Sequence, residues 1–142
     1  MSTQHDDPHS FPHGITAASL TLTSASIIGM KAYVQITATS LVGTTVYSVI
    51  CPYAGTVTAI KSVLQGALTT GNATLTAKIN ATAITTGVLT ITQAASAAGD
   101  IDSCTPSAAR TVAAGDLLSW TVGGTNDAVV GATGYFEITR TA

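Results

Sequence analysis

Apolar and polar residues alternate along most of this chain. Thr74-Leu75-Thr76-Ala77-Lys78-Ile79, Leu89-Thr90-Ile91-Thr92 and Leu118-Ser119-Trp120-Thr121-Val122 all repeat at period two. That period belongs to a strand with one face buried and the other wet. Read this way, residues 73–79 turn Leu75, Ala77 and Ile79 inward, and 88–92 bury Leu89 and Ile91. Residues 116–122 bury Leu118, Trp120 and Val122, and 31–38 bury Ala32, Val34 and Ile36. Residues 135–140 bury Phe136 and Ile138 and expose Glu137 and Arg140. Residues 44–50 are rich in Val, Ile, Tyr and Thr, and Pro52 ends that strand because it cannot donate to a ladder. Over 56–64, Val57 and Ile60 fall out of phase, which predicts a bulge. A weaker alternation over 15–23 (Ile15, Ala17 and Ser19 against Leu20 and Leu22) predicts a first strand. No helix is predicted; the Ala-rich stretch 94–98 is too short and is stopped by Gly99.

These segments make about eight strands separated by turn signals, the pattern of an antiparallel β-sandwich or jelly roll. Gly55, Gly71, Gly87, Gly99, Gly115 and Gly123-Gly124 stand between them. Two phrases recur at an interval of sixteen residues. Thr69-Thr70-Gly71 returns as Thr85-Thr86-Gly87, and Ala97-Ala98-Gly99-Asp100 as Ala113-Ala114-Gly115-Asp116. Two copies are too few for a solenoid, so they are read as recurrent hairpin turns. Residues 1–14 differ from the rest. They hold all three histidines, two of the four prolines and two acids, without periodicity. The expected organisation is an irregular N-terminal arm over 1–14 and a single all-β domain over 15–142.

Composition changes the picture in one respect. Only 8% of residues are charged, against roughly 25% in an average soluble domain. A surface so poor in charge is expected to be covered by other subunits. The net charge of −2, with Lys31, Lys61, Lys78, Arg110 and Arg140 scattered, gives no footprint for nucleic acid or an anionic membrane. Mean hydropathy is +0.43, yet Thr, Ser and Gly interrupt every apolar run before the ~20 residues a spanning helix needs. His5, Asp6 and Asp7 do not begin a signal peptide, so folding in a cytoplasm is expected. There Cys51 and Cys104 are read as reduced, buried small hydrophobes, and a disulfide would require their strand ends to meet.

The search for chemistry returns little. His5, His9 and His13 have the i, i+4 spacing that would stack imidazoles on a helix as a metal site, but Pro8 and Pro12 break that helix. Asp100-x-Asp102 lacks the further oxygen ligands of a calcium loop and is read as a solvated turn. A Ser-His or Cys-His catalytic pair would need a base from the arm. Glu137, the single glutamate, has no carboxylate partner for glycoside hydrolysis. No phosphate-binding glycine loop is present. Asn72-Ala73-Thr74 and Asn80-Ala81-Thr82 match the glycosylation sequon by chance, and irregularly spaced Thr-x-Thr pairs do not make an ice-binding array. Trp120 is expected in the core. No enzyme, cofactor or metal is expected.

The run from Pro52-Tyr53-Ala54-Gly55-Thr56-Val57 to Thr76-Ala77-Lys78-Ile79 resembles small proteins encoded beside the capsid genes of tailed bacteriophages, the head decoration, cement or head-fibre proteins. The continuation from Ala94 to Asp100 and from Thr111 to Trp120 fits the same texture, and the resemblance spans roughly residues 50–140. It implies a jelly-roll-like domain, commonly a homotrimer, made in the host cytoplasm and seated on the outer capsid surface with the major capsid protein as partner. On that reading the protein stabilises the shell and catalyses nothing, and the arm, through Phe11, Pro12 and His13, helps attach it. The main alternative is a fibre or surface module that recognises host glycan through exposed aromatics, with Tyr33, Tyr47, Tyr53 and Tyr135 as candidates. A bacterial surface or matrix protein is a further reading.

Overall fold

The computed structural model describes residues 29–141. Nine strands are present among them. They are β1 (Lys31–Ala38), β2 (Val46–Ile50), β3 (Gly55–Leu64), β4 (Ala73–Ile79), β5 (Thr82–Ile91), β6 (Ile101–Cys104), β7 (Thr111–Val112), β8 (Leu117–Gly124) and β9 (Ala132–Arg140). One sheet, here sheet A, has the order β1-β9-β3-β6, with the two-residue β7 also pairing β3; sheet B has the order β2-β8-β4-β5. Every pairing is antiparallel. With β7 set aside, the first strand pairs with the last and the third with the sixth, and in the other sheet the second pairs with the seventh and the fourth with the fifth. That nesting is a jelly roll, the all-β sandwich expected from the strand pattern.

The alternation places the core. Val34, Ile36, Val57, Ile60, Phe136 and Ile138 of sheet A face Leu75, Ala77, Leu89, Ile91, Leu118, Trp120 and Val122 of sheet B, all buried. Trp120 is fully buried and its ring packs against Phe136 at 6.2 Å between centroids. The phase break in β3 is a bulge between Val57 and Ala59, which restores the inward direction for Ile60. At the β4–β5 turn, Asn80 and Ala81 both adopt positive φ (47° and 72°) between the paired residues Ile79 and Thr82. These are the dihedrals of a type I′ hairpin.

The two Ala-Ala-Gly-Asp phrases form equivalent structures. In each, the Asp N–H donates to the carbonyl of the first Ala at 3.1 Å and the Gly takes a positive φ, +87° at Gly99 and +95° at Gly115. These are the marks of a type II turn. Each turn then clamps onto a neighbouring segment, at the last residue of β3 in one case and just past β2 in the other. Gly99 N–H donates to Leu64 O and Leu64 N–H to Asp100 O, and Gly115 N–H donates to Cys51 O and Cys51 N–H to Asp116 O. The turns therefore dock β6 onto β3 and β8 onto β2. The Thr-Thr-Gly phrases are not equivalent. Gly71 sits in a turn, whereas Thr85, Thr86 and Gly87 lie within β5. There residues 84–87 stand opposite the single Ala77, Thr86 takes a φ of 57°, and Thr85 bridges to Ala108.

Some expectations are revised. The strand expected over 88–92 begins at Thr82, and β6 and β7 were not anticipated. Gly55, Gly87, Gly123 and Gly124, expected between strands, fall inside them. Asp102, expected in a solvated turn, lies in β6 opposite the buried Ser62. The strand expected over 15–23 and the arm over 1–14 lie outside the described residues.

Candidate functional site

Neither cysteine is in a disulfide. Cys51 is buried and its thiol donates to Tyr53 O at 3.1 Å; burial raises its pKa. Cys104 is half-buried, and burial pushes its thiol up to about 11. A raised pKa leaves little thiolate near neutrality, so neither is an activated nucleophile. Among the described residues no three His, Cys, Asp or Glu side chains gather as a metal site. No helix among them is long and apolar enough to cross a membrane. Both sequon asparagines are engaged. Asn72 Oδ1 accepts from Gln93 N–H, and Asn80 accepts from Leu117 N–H while donating to Asp116 Oδ1 at 2.6 Å. Phe11, Pro12 and His13, proposed for attachment, and His5 and His9 lie outside the described residues.

What the fold presents instead is two broad sheet faces. The outer face of sheet B carries short side chains and little charge. Val46, Ile50, Val88 and Leu117 are exposed on it. Registers place Val46 beside Thr121, Thr121 beside Thr76 and Thr76 beside Val88, while Ser48 pairs with Ser119 and Ile50 with Leu117. Lys78 is the one ionisable strand residue on this face among the described residues. Thr121 Oγ1 is buried with no protein partner.

The outer face of sheet A is more polar. Lys31 Nζ donates to Glu137 Oε1 at 2.6 Å, and Thr58 Oγ1 donates to the same oxygen at 2.7 Å. The Lys31 hydrogen bond first, then that of Thr58, holds the Glu137 carboxyl below the usual carboxylate range. Glu137, expected to be exposed, is thus largely covered, with 21% of its side chain accessible. Beside this triad the register brings Gln35, Tyr135 and Lys61 into one row and Thr37, Thr133, Val63 and Ile101 into the next. Between the rows lies a hollow of about 310 Å³, lined by Gln35, Lys61, Val63, Ile101, Thr133 and Tyr135 with Gly134 and Ser62. Gly134 makes the closeness possible. A Cβ there would strike the Lys61 carbonyl oxygen and come within 2.7 Å of the Trp120 ring.

Two of the four tyrosines lie in sheet A, Tyr47 lies in β2 of sheet B, and Tyr53 lies in the connection from β2 to β3. Tyr33 is 57% exposed and meets Tyr135 edge to face, with centroids 5.2 Å apart and planes at 89°. Tyr47 is half-buried; its hydroxyl accepts from Ser40 N–H at 3.0 Å and donates to Ser40 O, fixing the β1–β2 connection. Tyr53 is half-buried beneath the Arg140 guanidinium, 4.8 Å from its centroid. Only Tyr33 and Tyr135 are therefore placed to contact a ligand on sheet A. Lys61, Gln35, Thr133 and Ile101 were not candidates in the sequence, because only the register between distant strands brings them together.

No family model matches this chain, and no curated protein matches it either.

Proposed function

We propose that this protein is a non-enzymatic structural tile that self-associates, as a homotrimer, and decorates the exterior of a bacteriophage capsid, with the major capsid protein as its partner. The observation that carries the self-association is the outer face of sheet B, with Val46, Ile50, Val88 and Leu117 exposed among serines and threonines. Interface cores are depleted of charge in this way, and short Ser, Thr and Val side chains lose little rotamer freedom when covered. A closed ring hides such a face without open-ended growth. The resemblance of residues 50–140 to decoration proteins supplies the capsid, and many weak contacts repeated over a lattice supply the avidity. On this reading the virion exterior is the site of action.

The test mixes purified protein with undecorated phage heads and images occupancy, after native mass has been measured. Decorated lattice sites and a mass three times the 14.2 kDa of one chain are expected; a monomer that leaves heads bare overturns the reading. A chain lacking residues 2–13 is expected to lose occupancy, and unchanged occupancy would remove Phe11, Pro12 and His13 from attachment.

A further inference from the structure

We propose that the hollow on the outer face of sheet A binds a pyranose sugar carrying a carboxylate, giving the free face of the tile a glycan-binding role separate from its attachment to a shell. The assignment rests on four features of the hollow. Tyr135 lines it and is propped by the edge-to-face contact with Tyr33, so its ring is held in place before any ligand arrives. An aromatic ring held at a wall is suited to the apolar C–H face of a sugar. Val63 and Ile101 continue that apolar surface, and Ile101 is 67% exposed with nothing covering it.

Gln35 and Thr133 put an amide and a hydroxyl on the lining. Their donors and acceptors suit the ring hydroxyls of a sugar. The fourth feature is charge. The single ion pair among the described residues joins Lys31 to Glu137; the exposed Lys61 on the hollow adds to the positive field on Glu137 but makes no ion pair itself. A carboxylate on the ligand supplies the missing partner. The volume lies at the lower end of ligand pockets and suits one sugar unit at the end of a longer glycan. A hollow lined by one lysine, in a chain of net charge −2, does not suit a polyanionic nucleic acid.

A single shallow site of this kind binds weakly, and copies in an oligomer or on a lattice add avidity. The experiment is saturation-transfer NMR on the full-length free protein. Its probes are the methyl glycosides of N-acetylneuraminic acid and of glucuronic acid, with methyl glucoside as the neutral control. Preferential binding of one or both acidic glycosides is expected, and which of them binds separates a sialylated source from a uronic-acid source. Tyr135→Ala is expected to weaken binding about tenfold. Lys61→Gln is expected to weaken the acidic probe about fivefold and leave the neutral one unchanged. Should Tyr135→Ala fail to fold, Ile101→Ser and Gln35→Ala, at exposed positions, carry the same test. No binding of either acidic probe, equal binding of the neutral sugar, or binding indifferent to all these substitutions overturns the proposal. Because the readout uses no capsid, its failure and the failure of capsid decoration are separate results.

Discussion

Gly134 is pressed between the Lys61 main chain and the Trp120 ring, so one methyl group separates a packed sheet from a distorted one. Its strand neighbours and the tryptophan cannot all retreat, because Trp120 is fully buried against Phe136 and close-packed interiors transmit such strain. Gly134→Ala is expected to cost about 1–3 kcal/mol or more, as overpacking does, read as a lower urea midpoint at unchanged m-value. Asp102 raises the opposite question, since one of its carboxylate oxygens, Oδ2, is buried with no protein partner. Desolvation first, then the nearby Asp100 charge, raises its pKa. The folded state therefore holds this proton more tightly than the unfolded chain, and ionising the group opposes folding. The penalty is absent below the unfolded value of about 3.9 and grows as pH rises through the folded one. Asp102→Asn is thus expected to raise the melting temperature at pH 7, by an amount worth less than about 1 kcal/mol because water reaches much of the group. The gain should vanish near pH 3.5; thermal scans of both proteins at the two pH values check the sign.

At the scale of elements, the β4–β5 hairpin stores strain in its turn as well as at Thr86. Ala81 holds a φ of 72°, and a left-handed conformation costs a non-glycine residue about 1–2 kcal/mol. Asn80 beside it tolerates that region and is tied to both Asp116 and Leu117. Ala81→Gly is expected to stabilise the protein by about 1 kcal/mol or less, since the unfolded chain also gains freedom; equilibrium denaturation measures it. Where strands were legible in the sequence follows from the same local chemistry. β1, β4, β8 and β9 have one apolar face and one polar face, so period two shows. β6 inverts the pattern: Ile101 faces out, and Asp102 and Cys104 share the side of the buried Ser62 and Ile60. It is a strand because the Gly99 turn clamps its entry to Leu64, a contact no local window contains. β5 was half seen because Thr86 and Gly87 carry turn chemistry and do bend the chain, yet pairing with β4 resumes on both sides. The hollow was illegible for the same reason as β6. Residues 35, 61, 101 and 135 have no relation along the chain, and only the sheet order places them side by side.

For the whole molecule, the two outer faces differ in the one property that separates an assembling surface from a wet one. Sheet A spreads Lys31, Lys61, Glu137 and Gln35 across its outer face, whereas sheet B offers Lys78 and otherwise short or apolar side chains. If the tile associates through sheet B, a charge placed there must act on assembly and hardly at all on the fold. Ile50 is 67% exposed and Leu117 41%, and they are direct cross-strand partners. The double change Ile50→Lys and Leu117→Lys sets two like charges opposite one another, which costs a fraction of about 1 kcal/mol within the sheet. Repeated in every copy around a closed interface, the same charges would be buried without partners, at several kcal/mol each. The expected outcome is a monomeric native mass with an unaltered far-UV spectrum and a urea midpoint that no longer depends on protein concentration. Tyr33→Lys, on the other face, serves as the matched control: its mass should stay that of the parent. A double variant that assembles as the parent does would move the interface off sheet B.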